Sequence, residues 1–212
     1  MSTGTYNGPG DISSAFGGKF IWHPDPATNA VQFHYEFNTA DWDDGNKKIV
    51  TTDIHEFEVT IQADDFYAMY LNGALASYGW LEDAPPGKGG LFQPYQARLG
   101  GDLHLGINSI DIFACNGYPP NTRIAPGATI DQARIACPNP SERVNKYLLF
   151  AGDVTLNKVD NSDPNQPMYF ITHNHIFSDA TWDVRAVDEP PFLSLAFLAL
   201  GGIVLFGKRR KF

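Results

Sequence analysis

The sequence predicts an all-β body, built as an antiparallel β-sandwich, followed by a single C-terminal transmembrane helix. The first observation is a strict alternation of apolar and polar residues, which is typical of half-buried strands and is clearest over 31–37 and 56–61. The second is that no amphipathic helix of three turns can be found before residue 188. The third is the uncharged run 192–207, which directly precedes four cations. An open sheet would leave its apolar face uncovered, so two packed sheets are favoured.

The remaining strands follow from the same alternation. They are predicted at 66–71, 74–78, 110–114, 147–156, 168–172 and 181–187. Asn72-Gly73 separates the first two and predicts a two-residue type I′ hairpin, because both turn positions need a positive φ. Pro- and Gly-rich stretches at 84–90 and 118–127 separate other strands, and 129–136 has the pattern of a short helix.

The C-terminal segment 188–212 has the composition of a membrane anchor. As a helix, the apolar run 192–207 would be about 24 Å long, which is short of the ~30 Å hydrocarbon core, so the stems of the basic cluster 208–211 must reach the interface. A buried core helix is the alternative, although terminal cations and the lack of a polar stripe argue against it. The predicted domains are a flexible N-terminal segment 1–18, a sandwich 19–187 and this tail.

The tail resembles a known sorting signal. Glu189-Pro190-Pro191, the apolar run and the terminal cluster Lys208-Arg209-Arg210-Lys211 are similar to the PEP-CTERM signal of bacterial exported proteins. In that family a Pro-Glu-Pro motif precedes a short transmembrane helix and an Arg-rich terminus. The resemblance implies processing by an exosortase, with cleavage near Glu189-Pro190, and delivery to an extracellular polysaccharide matrix.

The charges of the tail predict a topology. The positive-inside rule places 208–211 in the cytoplasm and the body across the membrane. We therefore expect an exported protein that is anchored in the inner membrane and then reaches the cell surface or the extracellular space. Residues 1–14 have neither a charged n-region nor an apolar h-region, so the expected export signal precedes this sequence. The alternative is a cytoplasmic tail-anchored protein.

Charge and cysteine content narrow the function classes. Without the four tail cations the rest of the chain has eleven Lys and Arg against twenty-four Asp and Glu, a net charge of −13. So acidic a surface argues against a nucleic-acid partner and is compatible with neutral polysaccharide or divalent cations. Cys115 and Cys137 are the only cysteines, and in an exported chain they fit one disulfide, with two buried thiols as the alternative.

Two blocks of the body resemble the galactose-binding-like jelly roll. The first is Ala63–Gly73, ADDFYAMYLNG, and the second is Leu103–Ile112, LHLGINSIDI. Members of that fold often have a hairpin of the first kind and a later strand of the second kind. The resemblance implies a jelly-roll sandwich of about eight strands whose loop tips can hold a glycan.

A sugar site needs aromatic faces and polar side chains at one end of the sandwich. The candidate carbohydrate-binding residues are Tyr78, Trp80, Phe92, Tyr95 and Trp42, with Trp22 next. The alternative for each is a place in the core or over a sheet edge.

Acidic clusters are the candidates for a structural calcium. Asp41, Asp43 and Asp44 lie within one six-residue stretch, and Asp64-Asp65 form a second pair. Residues 160–163 form a weaker oxygen cluster. The alternative is that these are turns, where Asp and Asn are favoured for backbone reasons.

Catalytic motifs are scarce. The sequence contains no G-x-S-x-G, H-E-x-x-H or P-loop, so a non-catalytic module is favoured over an enzyme. The alternative is a glycoside-active enzyme with an acid pair among Asp41, Asp43, Asp64 and Asp65. His173 and His175 share one strand face, where a transition metal or, more simply, an exposed strand would explain them.

Overall fold

The computed structural model describes residues 2–4, 19–25, 27–42, 49–63, 66–80, 95–98, 103–116, 124–135 and 146–187. The strands within these ranges are β1 (Ser2–Gly4), β2 (Phe20–Trp22), β3 (Ala30–Asn38), β4 (Ile49–Ala63), β5 (Phe66–Leu71), β6 (Ala74–Trp80), β7 (Tyr95–Arg98), β8 (Ile107–Cys115), β9 (Leu148–Asp160), β10 (Met168–Phe177) and β11 (Asp183–Ala186). A 3-10 helix follows β3 at Thr39–Trp42, and helix α1 spans Ile130–Ile135.

The strands form two antiparallel sheets. Sheet A has the order β1-β2-β9-β4-β7, with β10 also paired to β9, and sheet B has the order β11-β3-β8-β5-β6. Strand β9 is the central strand of sheet A, because it pairs with β4 along 148–160 and with β10 along 151–160. The predicted all-β antiparallel body is therefore confirmed.

The main core lies between the two sheets. Phe33 on β3, Phe57 on β4 and Phe150 on β9 are fully buried in one cluster that draws on both sheets. The ring of Trp182, which precedes β11, lies 5.1 Å from Phe150 and 5.2 Å from Tyr35, so it links β9 to β3 across the layer. The alternation predicted for β3 and β4 places these apolar side chains inward, as a sandwich requires.

A smaller core covers the outer face of sheet B. Phe66, Tyr70 and Phe113 belong to it, and Ala133 of helix α1 packs against them. Burial, and secondarily the charge of Asp131, raises the pKa of Tyr70 to about 12. The short helix predicted from 129–136 therefore seals a sheet face that would otherwise expose aromatic rings to water.

The predicted hairpin is confirmed by its backbone. Asn72 and Gly73 have φ values of 49° and 82°, and they join β5 to β6. Positive φ at both positions is the requirement of a type I′ turn. The predicted strands are all present with adjusted ends. The sequence analysis did not predict β1, β2 and β7, which are three or four residues long and too short for alternation to show.

The two blocks that resemble the galactose-binding-like jelly roll meet at one buried amide. Asn108 Oδ1 accepts from His104 N and Asn72 Nδ2, both at 3.0 Å, and its Nδ2 donates to the carbonyls of His104 at 2.7 Å and Gly106 at 3.0 Å. Thr39 N donates to the carbonyl of Gly106, and Gly106 N donates to the hydroxyl of Thr39. Asn108 therefore ties the β5–β6 turn, the loop before β8 and the 3-10 helix together.

Three predictions concern segments at the margins of the described residues. Ser2–Gly4, within the predicted flexible N-terminal segment, pair with β2 in sheet A, so at least these three residues belong to the sandwich. In the described part of the chain no helix is long and apolar enough to cross a membrane. The predicted helix 192–207 and the motif and cluster at 189–191 and 208–211 lie outside that part.

The predicted disulfide is described at one end only. Cys115, at the end of β8, is fully buried and is not a free thiol. Cys137 lies outside the described residues, so its pairing with Cys115 stays a prediction.

Candidate functional site

Strand β10 presents a row of exposed side chains on the outer face of sheet A, which we name the β10 row. Its members are Tyr169, Ile171, His173, His175 and Phe177. They are paired with Val159, Asn157, Thr155, Asp153 and Ala151 of β9. The core residues of β9 are the even-numbered Leu148, Phe150, Val154 and Leu156. Because side chains alternate along a strand, the β10 row points away from the core.

The row has aromatic ends and a polar centre. Tyr169 is 79% exposed, the largest exposure among the large apolar and aromatic side chains of the described residues. At the other end, Phe177 is 36% exposed, and its ring stacks on that of His175 with centroids 5.7 Å apart. The outer face therefore combines rings that are open to solvent with imidazoles between them.

Asp153 lies at the middle of this surface. Its Oδ2 is 3.2 Å from His173 Nδ1 and 4.0 Å from His175 Nδ1. The hydroxyl of Thr155 is 3.4 Å from the same nitrogen of His173. One carboxylate thus lies within 4.0 Å of two imidazoles of the same strand.

Strand β4 extends the polar centre beyond β9. Glu58 is paired with Asp153, and Glu56 is paired with Thr155, so both stand on the outer face one strand beyond the two histidines. Closer to the Tyr169 end of the row, Asn157 Nδ2 donates to Asp53 Oδ1 at a distance of 2.6 Å. Acceptor oxygens and an amide therefore flank the β10 row along most of its length.

Among the described residues, the two histidines have no third ligand with which to form a metal centre. Within the described ranges, no group of three or more His, Cys, Asp or Glu side chains has an arrangement that could hold a metal ion. The interpretation of His173 and His175 as members of an exposed strand therefore describes them better than a transition-metal site.

The aromatic residues predicted from the sequence do not come together in the described part of the chain. Trp42 is half-buried, stacks on Phe37 with centroids 5.2 Å apart and packs on the main core. Tyr78 is half-buried against the outer core of sheet B. Trp22 is buried. These three residues therefore pack on the cores, and a role for Trp42 or Tyr78 in carbohydrate binding stays a prediction.

The other predicted carbohydrate residues are less fully described. Trp80 ends β6 at the edge of sheet B, and Tyr95 begins β7 at the edge of sheet A, paired with Ile61. Their side chains and the whole of Phe92 lie outside the described residues. Carbohydrate binding by Trp80, Tyr95 and Phe92 therefore stays a prediction.

The predicted calcium ligands are described only at Asp41. This residue lies exposed in the 3-10 helix, where its Oδ1 accepts from Asn38 Nδ2 at 3.4 Å. Asp43, Asp44, Asp64 and Asp65 lie outside the described residues. The weaker cluster 160–163 forms turns, since Asp160 and Asp163 accept from the backbone N–H groups of Ser162 and Asn165.

A second polar network lies on the outer face of sheet B. Asp111 Oδ1 is 2.9 Å from His34 Nδ1 and accepts from Gln32 Nε2 at 3.2 Å. Arg134 of helix α1 donates to Gln32 Oε1 at 2.9 Å and to Asp131 Oδ1 at 3.1 Å. The network fastens helix α1 to β3 and β8, so its contacts are accounted for by holding the outer core closed.

The assembly of the β10 row with Asp153 and β4 could not be predicted from the sequence. The alternation placed His173 and His175 on one face but identified no third group, because Asp153 is twenty residues earlier on another strand. The signal that was present is the uncharged composition of 168–177, which continues past the predicted strand end at 172.

Comparisons with known proteins give similarity to parts of larger chains. No known family and no curated protein matches this sequence. Among solved structures, an α-L-rhamnosidase from Streptomyces avermitilis is 19% identical, with a TM-score of 0.48 over 82% of this chain and 12% of that chain. A Pleurotus ostreatus lectin in complex with GalNAc is 18% identical, with a TM-score of 0.47 over 82% of this chain and 36% of the lectin.

A third structure is similar to the same degree. The α-L-rhamnosidase from Dictyoglomus thermophilum is 13% identical, with a TM-score of 0.46 over 82% of this chain and 17% of that chain. This chain thus spans well under half the length of each of these proteins. Similarity at this level assigns neither a family nor a function.

Proposed function

We propose that this chain is an exported, non-catalytic β-sandwich that binds carbohydrate and is anchored at the cell surface by its C-terminal segment. The binding surface in this proposal is the β10 row with Asp153, Glu56 and Glu58 beside it. The tail acts first as an inner-membrane anchor and then as an exosortase-type sorting signal. The body belongs, in this proposal, to the galactose-binding-like jelly rolls that its two sequence blocks resemble.

The exposure of Tyr169 at the end of the β10 row is the observation that supports carbohydrate binding. An aromatic ring left in water costs hydrophobic free energy unless it has a partner, and the apolar face of a pyranose ring is a suitable one. The carboxylates of Asp153 and Glu58 are acceptors for the sugar hydroxyls. Since residues 169–177 span about 26 Å as a strand, the surface fits a polysaccharide chain better than a single sugar.

Replacing Tyr169 by alanine is expected to weaken polysaccharide binding about tenfold, because aromatic contacts of this kind are worth about 1 kcal/mol or slightly more. The measurement is isothermal titration calorimetry of the full chain, in a detergent without a sugar headgroup, against neutral polysaccharides chosen from a glycan array. Leu105→Ala is the matched control, since Leu105 is also a large exposed apolar residue but lies before β8.

A Trp80→Ala variant separates this surface from the one predicted by the sequence. Loss of binding in Tyr169→Ala with binding retained in Trp80→Ala supports the β10 row. The reverse result would reject the β10 row and assign the site to the predicted set of Tyr78, Trp80, Phe92, Tyr95 and Trp42. Release of reducing sugar that disappears in Asp→Asn variants at 41, 43, 64 or 65 would instead favour the glycoside-active alternative.

The anchoring part of the proposal has its own test. Protease added to spheroplasts is expected to degrade the body while a cytoplasmic marker stays intact, because the positive-inside rule retains residues 208–211 in the cytoplasm. Mass spectrometry of the mature protein is expected to find a new C-terminus near Glu189-Pro190. A protected body with an intact C-terminus would support the tail-anchored cytoplasmic alternative.

The calcium prediction also remains a proposal of this kind. Asp41, Asp43, Asp44, Asp64 and Asp65 supply the hard oxygen ligands that calcium prefers. If they hold a structural ion, chelation lowers the thermal midpoint of the purified chain and added calcium restores it. An unchanged midpoint would assign these residues to turns.

A further inference from the structure

The free edge of β10 is the second notable feature of this strand. In the described part of the chain, β10 pairs only with β9, so its other side offers unpaired backbone groups over ten residues. Natural sheets generally protect such an edge with a charged residue, especially Lys, or with Pro. Met168–Phe177 contains no Pro, Lys, Arg, Asp or Glu. The strand therefore lacks the protections that keep edges apart.

The backbone geometry shows which residues face this edge. Ser178 N donates to the carbonyl of Phe150, in continuation of the register that pairs Phe177 with Ala151. In an antiparallel ladder, hydrogen-bonded pairs alternate with non-bonded ones, so the even-numbered residues of β10 bond to β9. The odd-numbered residues, which are those of the β10 row, direct their N–H and C=O groups toward the open edge.

We propose that β10 pairs edge to edge with β10 of a second copy of this chain, in an antiparallel register centred on His173. This register joins Tyr169 to Phe177 of the other copy and Ile171 to its His175, while His173 meets its own counterpart. On the opposite face it joins Phe170 to Ile176. The aromatic rings of Tyr169 and Phe177 thus pair on the outer face, and the apolar side chains of Phe170 and Ile176 pair on the opposite face. The strand is therefore complementary to a second copy of itself.

The absence of charged residues in β10 allows a second copy to be the occupant of this edge. The chain has a net charge of −9, so two copies repel each other over most of their surfaces. The β10 edge contains no formal charge, which makes it a place where two acidic bodies can approach without a like-charge contact within the strand. The pairing would join two sheets A and place two β10 rows side by side on one continuous outer face.

The size of the contact sets its strength. One strand of ten residues is about 33 Å long, and its edge buries less than the ~800 Å² per partner of a standard stable interface. The dimer is therefore weak in dilute solution and forms readily where copies are concentrated, as on a membrane. A trapping experiment detects such a contact better than a sizing column does.

A disulfide placed on the dimer axis tests the register. In the proposed pairing, the two copies of residue 173 form a hydrogen-bonded pair with Cα atoms about 5.5 Å apart, which is within the range of a disulfide. The full chain with His173→Cys is expected to become a covalent dimer on mild oxidation. In the same register, two copies of residue 171 lie about 13 Å apart, so Ile171→Cys alone is expected to stay monomeric. A mixture of Ile171→Cys and His175→Cys chains is expected to form the mixed dimer.

The controls separate this contact from others. Val50→Cys is the control for random collisions, because Val50 is an exposed residue of β4 in the same sheet. It is expected to cross-link less than His173→Cys. Adding Ile171→Lys to the His173→Cys chain is expected to abolish the cross-link, whereas adding Val50→Lys is expected to preserve it. Circular dichroism of each variant confirms that the sandwich is folded.

Several outcomes would overturn the inference. Equal cross-linking at residues 50, 171 and 173 would show that the copies meet by collision or associate through the tail. No cross-link at residue 173 in a folded chain would show that another part of the molecule covers the edge of β10. The experiment contains no sugar, so its failure leaves the carbohydrate proposal untouched, and a failed binding experiment leaves this one untouched.

Discussion

Replacing Asn108 by alanine is expected to lower the free energy of unfolding by about 3 kcal/mol or more. The amide is 1% exposed and makes four hydrogen bonds, two as acceptor and two as donor. In the alanine variant Gly106 O keeps its bond from Thr39 N, whereas the N–H and C=O of His104 lose Asn108, at about 1–3 kcal/mol for each group that remains unsatisfied. The loss also releases the β5–β6 turn from the loop before β8, so the effect spreads over three segments.

Urea denaturation followed by tryptophan fluorescence measures this change. Asn165→Ala is the matched control, since Asn165 is exposed in the turn before β10, and it is expected to change stability by less than about 0.5 kcal/mol. Asn108→Asp retains the two acceptor contacts but places a carboxylate oxygen against the carbonyls of His104 and Gly106, so it should destabilise the sandwich at least as much as alanine does. An Asn108→Ala chain as stable as the parent would mean that the amide does not organise these loops.

Replacing Gly152 by valine is expected to destabilise the sandwich by about 3 kcal/mol or to prevent folding, at the upper end of the cost of overpacking. Gly152 is on β9, and a Cβ atom there would lie 2.8 Å from Phe57 Cε2 and 3.1 Å from Phe150 Cε1. Both rings are fully buried in the main core. Because the core is densely packed, neither ring can move without displacing its neighbours.

Thermal unfolding of the two chains in parallel tests this prediction, with soluble yield as the readout if the variant does not fold. Ala186→Val is the matched control, because it adds apolar volume at an exposed position of the edge strand β11. We expect it to leave the midpoint within a few degrees of the parent. A Gly152→Val chain that unfolds at the parental temperature would contradict the packing of Phe57 and Phe150 around this glycine.

The contacts of Asn72 and Asn108 show why the sequence blocks that resemble the galactose-binding-like jelly roll are informative about the fold and less so about binding. Asn72 and Asn108 are the polar residues that stand out in those blocks. In the structure their side chains bind one another and the neighbouring backbone. Their chemistry is therefore used within the protein, and the proposed ligand surface lies on the other sheet.

Much of the fold could be predicted from local patterns. Alternation over 31–37 and 56–61 was enough to assign the inward residues Phe33 and Phe57, because the side-chain period of a strand is a local property of the chain. The hairpin at Asn72-Gly73 was predictable because positive φ is a property of those two residues and needs no tertiary contact. The short helix was likewise predicted at 129–136 from a local pattern, and the structure forms it at Ile130–Ile135.

The candidate site could not be predicted in this way. Alternation showed that His173 and His175 share a face, but Asp153 and Glu58 reach that face only through the pairing of β10 with β9 and of β9 with β4. Strand order depends on long-range contacts, and the sequence pattern carries no signal for it. Similarly, Trp42 and Tyr78 looked suited to a ligand, and only the packing of distant residues placed them against the cores.

Local sequence patterns were enough to predict the class of fold, the inward faces over 31–37 and 56–61 and the hairpin turn, since each depends on residues a few positions apart. The tertiary structure alone decided which strands are neighbours, which aromatic rings are covered and which edge is left open. The physical reason is that burial and strand pairing are shared properties of segments far apart in the chain, so they exist only once those segments have packed together.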